Sequence, residues 1–260
     1  LDDDGEGVTF RTRAGPASAS HVDHTLAGLA EVGTPLDYPV LTPRGERPLA
    51  AAFTAAFRDF RPQQLESEWS TLVWLHYLPQ VTGWTTTEGQ RVTWDQLAER
   101  LMRERWNHGV CYGQHRLYVL AAMLIRDAES PRLSPTMRSR VTAHLVEATR
   151  RLEATQAEDG LWNGAWPGAD RHGPAEPLPG PLGSRADRLL ATGHVLEWWA
   201  YAPPEALPSE PVLRRTIAAL LEEIDALSDA ELRRFYPFLT HAARGLLLWH
   251  GARWPAEVLT

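Results

Sequence analysis

Apolar residues recur at helical spacing through most of this chain, and no stretch alternates for long enough to make a convincing strand, so the sequence predicts an all-α protein. Nine helices are expected: Ser20 to Val32, Pro48 to Phe60, Glu66 to Leu78, Thr93 to Arg105, Cys111 to Arg126, Ser134 to Thr155, Arg185 to Tyr201, Glu210 to Leu227 and Tyr236 to Gly251. The even-numbered ones are charged and amphipathic. "SPTMRSRVTAHLVEATRRLEAT" has Ser134 as N-cap, Pro135 at the first helical position and an arginine-rich outer face. The odd-numbered ones are more apolar all round, as in "LYVLAAMLI", "VLEWWAY" and "ARGLLLWHG", which is the signature of enclosed helices. Enclosed and exposed helices in alternation predict helical hairpins stacked into an α/α toroid, about five inner helices covered by outer ones.

A period supports this. Polar residues near the start of the inner helices, His24, Glu68, His115, His194 and His241, are separated by 44, 47, 79 and 47 residues. The long step contains the proline- and glycine-rich stretch Gln156 to Ser184, read as one long loop inserted into a regular hairpin period. Residues 1–19, with the run Asp2-Asp3-Asp4, are expected to be a flexible, solvated N-terminal segment, and residues 20–260 a single toroid domain.

The loop opens "QAEDGLW", Gln156 to Trp162, after a helix. Gly160 permits the left-handed turn that stops the helix, Asp159 can hydrogen-bond within that turn, and Trp162 folds back as an apolar lid. A helix ending in Gln-x-x-Asp-Gly-x-Trp resembles the QW repeat of terpenoid cyclases and of protein prenyltransferase β subunits, both α/α toroids. The resemblance implies the fold. The activity does not carry over: the acidic run lies in the N-terminal segment rather than on an inner helix, and Gly109 stands where the prenyltransferase zinc ligand two residues before the cysteine would be an aspartate. "CYG" at Cys111 resembles a zinc-binding stretch of lanthionine cyclases, whose second Cys-His-Gly pair has no counterpart in this chain. Cys111 and Gln114 also have the Cys-x-x-Gln spacing of the complement and macroglobulin thioester domain, with Tyr112-Gly113 where that family has Gly-Glu.

Composition bounds the rest. At 260 residues and 43% hydrophobic the chain can bury a substantial core, and its longest apolar runs are far short of the ~20 residues of a membrane span. A net charge of −7 offers no field for a polyanion, which argues against nucleic acid as a partner. All 26 basic residues are arginine, which reads as the codon bias of a GC-rich bacterial genome. One cysteine removes any intramolecular disulfide. A first residue that is leucine reads as a trimmed product and tilts the expectation toward export.

If the inner helices run parallel, their N-termini gather at one mouth, bringing Cys111, His115, His194 and His241 to one rim, with Glu68 and Asp187. Helix N-termini there favour a thiolate and anionic ligands. His115, His194 and His241 are the expected catalytic residues; Cys111, His194 and His241 the expected metal ligands, with zinc as the metal that suits thiolate and imidazole. Among eleven tryptophans, Trp162, Trp166 and Trp69 are expected, with Glu68 and Asp187, to contact a ligand. The sequence predicts a mouth that binds a small molecule, carbohydrate or prenyl-like, and acts on it as a lyase, isomerase or transferase. A non-catalytic binding module and a thioester domain are the alternatives.

Overall fold

The structure is a computed structural model that describes residues 1–10, 21–78, 81–169 and 182–251. Every expected helix is there: α1 His24–Glu31, α2 Ala50–Asp59, α3 Glu68–Tyr77, α4 Trp94–Arg103, α5 Gln114–Glu129, α6 Pro135–Thr155, α7 Ser184–Tyr201, α8 Glu210–Asp225 and α9 Asp229–Trp249. Three antiparallel two-stranded ribbons accompany them: β1 Asp2–Asp3 with β2 Val8–Thr9, β3 Pro39–Thr42 with β4 Gly45–Pro48, and β5 Gly83–Thr85 with β6 Arg91–Thr93. The protein is thus mostly helical, and none of the described helices is long and apolar enough to cross a membrane.

The chain divides into two compact units. The first takes the described residues of Leu1–Leu101 and Arg126–Ser134, the second those of Met102–Ile125 and Pro135–Arg253. In the first, α1 packs on α3, which is buried from Glu68 through Leu75. Trp74 at its centre receives Phe53, Phe57 and Phe60 edge-on, the geometry that sets positive ring edges against a negative ring face. The acidic N-terminal run is not a solvated tail in its described part. Asp3 accepts from the Gly5 amide at 2.9 Å and the Thr42 hydroxyl at 2.8 Å and pairs with Arg47, and Asp4 caps the Glu6 and Gly7 amides at 2.9 and 2.8 Å. Short side chains bonding to nearby backbone fix the turn between β1 and β2. Residues 11–19 of the expected segment lie outside the described residues.

In the second unit, α6 buries the stripe Met137, Val141, Leu145, Ala148 and Leu152 at the spacing of a single helical face. Its end follows the turn chemistry expected of "QAEDGLW": Gly160 has φ +87°, Asp159 accepts from the Leu161 amide, and Trp162 is buried with its indole N–H on the Leu152 carbonyl at 3.0 Å. Gln156 ties this corner to α8 through the Thr216 hydroxyl at 2.8 Å. Helix α7 is enclosed almost throughout, from Ala186 to Trp199.

Two expectations about α9 need correction. It starts at Asp229 rather than near Tyr236, because Ser228 and Glu231 form a reciprocal capping box and Pro237 is accommodated inside the helix. Nor is α9 enclosed: Phe235, Ala242 and Gly245 are its buried residues, and Tyr236 and Leu247 are exposed. What looked like all-round apolarity is one closely packed stripe facing α7.

Candidate metal centre

The approach of α7 to α9 positions the site. Gly193 and Gly245 stand where the two backbones nearly touch; a Cβ on Gly245 would lie 2.8 Å from the Leu196 Cβ and 2.9 Å from the Gly193 carbonyl. Absence of side chains there lets the flanking residues come within van der Waals reach across the pair. The rings of His194 and His241 have centroids 3.8 Å apart.

The third contributor is the start of α5. A short 3-10 turn, Val110–Gly113, precedes it, and Cys111, Tyr112 and Gly113 all have left-handed backbones, with φ of 48°, 58° and 75°. For non-glycine residues that conformation costs roughly 1–2 kcal/mol each, so something must hold it. Trp166 donates its indole N–H to the Tyr112 carbonyl at 2.8 Å, and the Tyr112 hydroxyl bonds Asp187, the first-turn acid of α7. Arg116 donates to the Trp106 and His108 carbonyls at 3.1 and 2.9 Å. The turn leaves Cys111 half-buried at the N-terminal end of α5, next to His115.

Cys111, His115 and His194 can each offer one ligand atom, all within 4.8 Å of one another; His194, Glu197 and His241 form a second such group. Distances separate the two. Imidazole nitrogens bound about 2.05 Å from one tetrahedral ion sit roughly 3.3 Å apart. His115 Nε2 and His194 Nε2 are 3.2 Å apart, which fits. His194 Nδ1 and Glu197 Oε2 are 2.6 Å apart, too close for two ligands of one ion and right for a charge-assisted hydrogen bond. The first group therefore fits a metal, and Glu197 fits the carboxylate that fixes a ligating histidine through its other nitrogen.

Electrostatics agree with that assignment. Burial, then the neighbouring His241, lowers the His194 pKa to about 4, so the ring is neutral near pH 7. With Nδ1–H donating to Glu197, its Nε2 lone pair is presented toward His115. Burial opposes ionisation of Glu197, but the imidazoles of His194 and His241 outweigh it and hold the carboxyl well below the usual carboxylate range. The same carboxylate receives Arg244 Nη1 at 3.3 Å and stands 3.3 Å from His241 Nδ1, while Arg244 Nη2 donates to the Tyr118 hydroxyl at 2.8 Å.

Of the residues expected from sequence, Cys111, His115, His194 and His241 are brought together, with Asp187 supporting the turn. His241 falls with Glu197 rather than with Cys111. The histidines of α7 and α9 lie mid-helix, not at N-termini. Trp162 and Trp166 are buried, and their indole N–H groups are spent on backbone carbonyls. Glu68 and Trp69 belong to the other unit, where Trp69 stacks on His24 with centroids 4.2 Å apart. Sequence reasoning missed Glu197 and Arg244. Each lies three residues after a candidate histidine, on the same helical face, and that spacing was the available signal.

No protein-family model, curated protein or solved structure matches this chain. The functional reading therefore rests on the geometry.

Proposed function

We propose that the second unit carries a zinc-class metal centre, held by Cys111 Sγ, His115 Nε2 and His194 Nε2, that transforms a carbonyl-bearing small molecule. The observation that carries this is the 3.2 Å separation of the two Nε2 atoms, with the far nitrogen of His194 on a buried carboxylate. When bound, such an ion supplies Lewis-acid polarisation of a carbonyl oxygen. Three protein ligands suit a catalytic site, which keeps an open fourth position, whereas structural sites are closed by four. Glu197 orients His194 through its other nitrogen, while burial keeps the ring neutral for ligation. His241, partly exposed beside Glu197, is the group placed to hand a proton to or from the ligand. Polarisation with proton transfer serves lyases and isomerases alike, and hydrolysis as well.

The wider architecture we read as an α/α toroid of the terpenoid cyclase type. Supporting it are the alternation of enclosed α3, α5 and α7 with amphipathic α4, α6 and α8, and the QW-like turn at Gln156 to Trp162.

A metal-free reading has one observation in its favour: Cys111 sits on a left-handed turn at a helix N-terminus, beside the chain His115, His194, Glu197, which would suit an activated thiol. Elemental analysis of the purified full chain separates the two. About one zinc per chain, lost in C111S, H115A and H194A, is the expected result. Zinc absent even after incubation with the metal, together with fast alkylation of Cys111 that chelators do not change, would overturn the metal reading in favour of the thiol.

A further inference from the structure

Gln114 opens α5 immediately before His115 and is wholly buried. Neither Oε1 nor Nε2 of its side chain has a hydrogen-bond partner among the described residues. Enclosing an amide in this way is costly, and buried polar groups in native proteins are satisfied in the great majority of cases. A methionine or leucine would fill the same volume without that cost, so packing does not account for the residue.

Its position suggests what does. Tyr118 lies one helical turn beyond Gln114, on the same face of α5. The Tyr118 hydroxyl accepts from Arg244, Arg244 donates to Glu197, and Glu197 holds His194. An unsatisfied donor and acceptor pair is thus one helical turn from the tyrosine at the end of the hydrogen-bonded network of the proposed centre. Cys111, His241 and Arg244 are its partly exposed edge.

We propose that Gln114 selects the ligand: its Oε1 accepts an N–H and its Nε2 donates to a carbonyl, so the centre takes a primary carboxamide or a cyclic amide whose carbonyl oxygen faces Cys111, His115 and His194. A cis amide presents N–H and C=O side by side, the complement of a glutamine amide edge. This rests on the metal reading above and adds the substrate class to it.

The probes are 2-pyrrolidinone, a cyclic amide whose N–H and C=O lie side by side, and its N-methyl analogue, which lacks that N–H. On zinc-loaded full-length protein, wild type should bind 2-pyrrolidinone about tenfold more tightly than the analogue, the effect of one hydrogen bond. Q114M should bind the two alike. Q114E keeps the acceptor and loses the donor, so it should weaken both probes while still preferring 2-pyrrolidinone. If zinc is present at one per chain and wild type shows no preference, or Q114M keeps it, the inference fails and the metal reading stands. Should Q114M not fold, a Q114E protein that binds both probes as tightly as wild type overturns the inference. Zinc absent from wild type overturns the metal reading and this inference with it.

Discussion

A Cβ placed on Gly193 would lie 2.6 Å from the backbone nitrogen of Ala242 and 2.8 Å from its Cα. This contact is between two backbones, neither of which can give way as the end of a side chain can. Gly193→Ala should therefore push α7 and α9 apart, destabilising the protein by about 1–3 kcal/mol as overpacking does. Because the residue next to each contact point is a site histidine, the variant should also lose zinc. Thermal unfolding and metal content measure the two effects, and a variant with unchanged Tm and full zinc would show that the close approach is not needed.

Glu197 orients His194 without joining the first ligand group. Glu197→Gln should leave the fold intact yet weaken zinc affinity roughly 10- to 100-fold, the usual effect of removing an orienting carboxylate. Competition against a chromogenic chelator reads this directly. Loss as complete as in H194A would instead make Glu197 a ligand.

Cys111 should be protected from iodoacetamide in the zinc-loaded protein and become reactive once a chelator strips the metal. Intact mass checks the thioester alternative in the same experiment: acylation of Cys111 by Gln114 expels ammonia and lowers the mass by about 17 Da. An unshifted mass with zinc-dependent protection is the expected outcome.

His76 and His144 give a pH dependence away from the site. Burial, followed by Arg126 for His76 and by Arg116 for His144, lowers each pKa from 6.5 to about 4. The unfolded chain takes up these protons near pH 6.5, whereas the folded chain resists until about pH 4. Stability is therefore full above pH 6.5 and falls as pH drops toward 4. The slope is on the order of 1 kcal/mol per pH unit for each histidine, somewhat less because each keeps a partly exposed edge. Urea denaturation between pH 7 and 4.5 should show a shallower decline in H144Q than in wild type. Parallel curves would contradict the shift assigned to His144, whose ring stacks on Trp106 with centroids 4.2 Å apart.

Much of this was legible in the sequence, and the reasons it was legible differ from residue to residue. All nine helices follow from periodicity, because burial of one face is written into the spacing of apolar residues. The end of α6 follows from Gly160 and Trp162, whose turn chemistry is local. His115, His194 and His241 were picked out by a repeat period and do converge, although through mid-helix packing of α7 on α9 rather than through gathered N-termini. What periodicity could not supply was depth along a helix, so a residue's rank in a repeat did not tell at which level it faces its neighbour. The β-ribbons of the first unit were missed because two- to four-residue strands hold too few alternations to register. Gln114 was noticed for its spacing from Cys111, and only burial without partners gives it a different meaning.

The proposed ligands come from the turn before α5, from the first turn of α5, and from the middle of α7, where His194 lies 79 residues beyond His115 and unrelated to it until the second unit has folded. In an extended chain they cannot act on one ion together. The affinity that needs all three together is therefore affinity for the folded state, and mass action converts it into resistance to unfolding, up to about 2.7 kcal/mol when the free ion stands at 100 times its dissociation constant. A cell that starves this protein of metal would lose more than a cofactor: the same shortage would raise the fraction of chains open to proteases, so that supply of the ion would set how much of the protein persists.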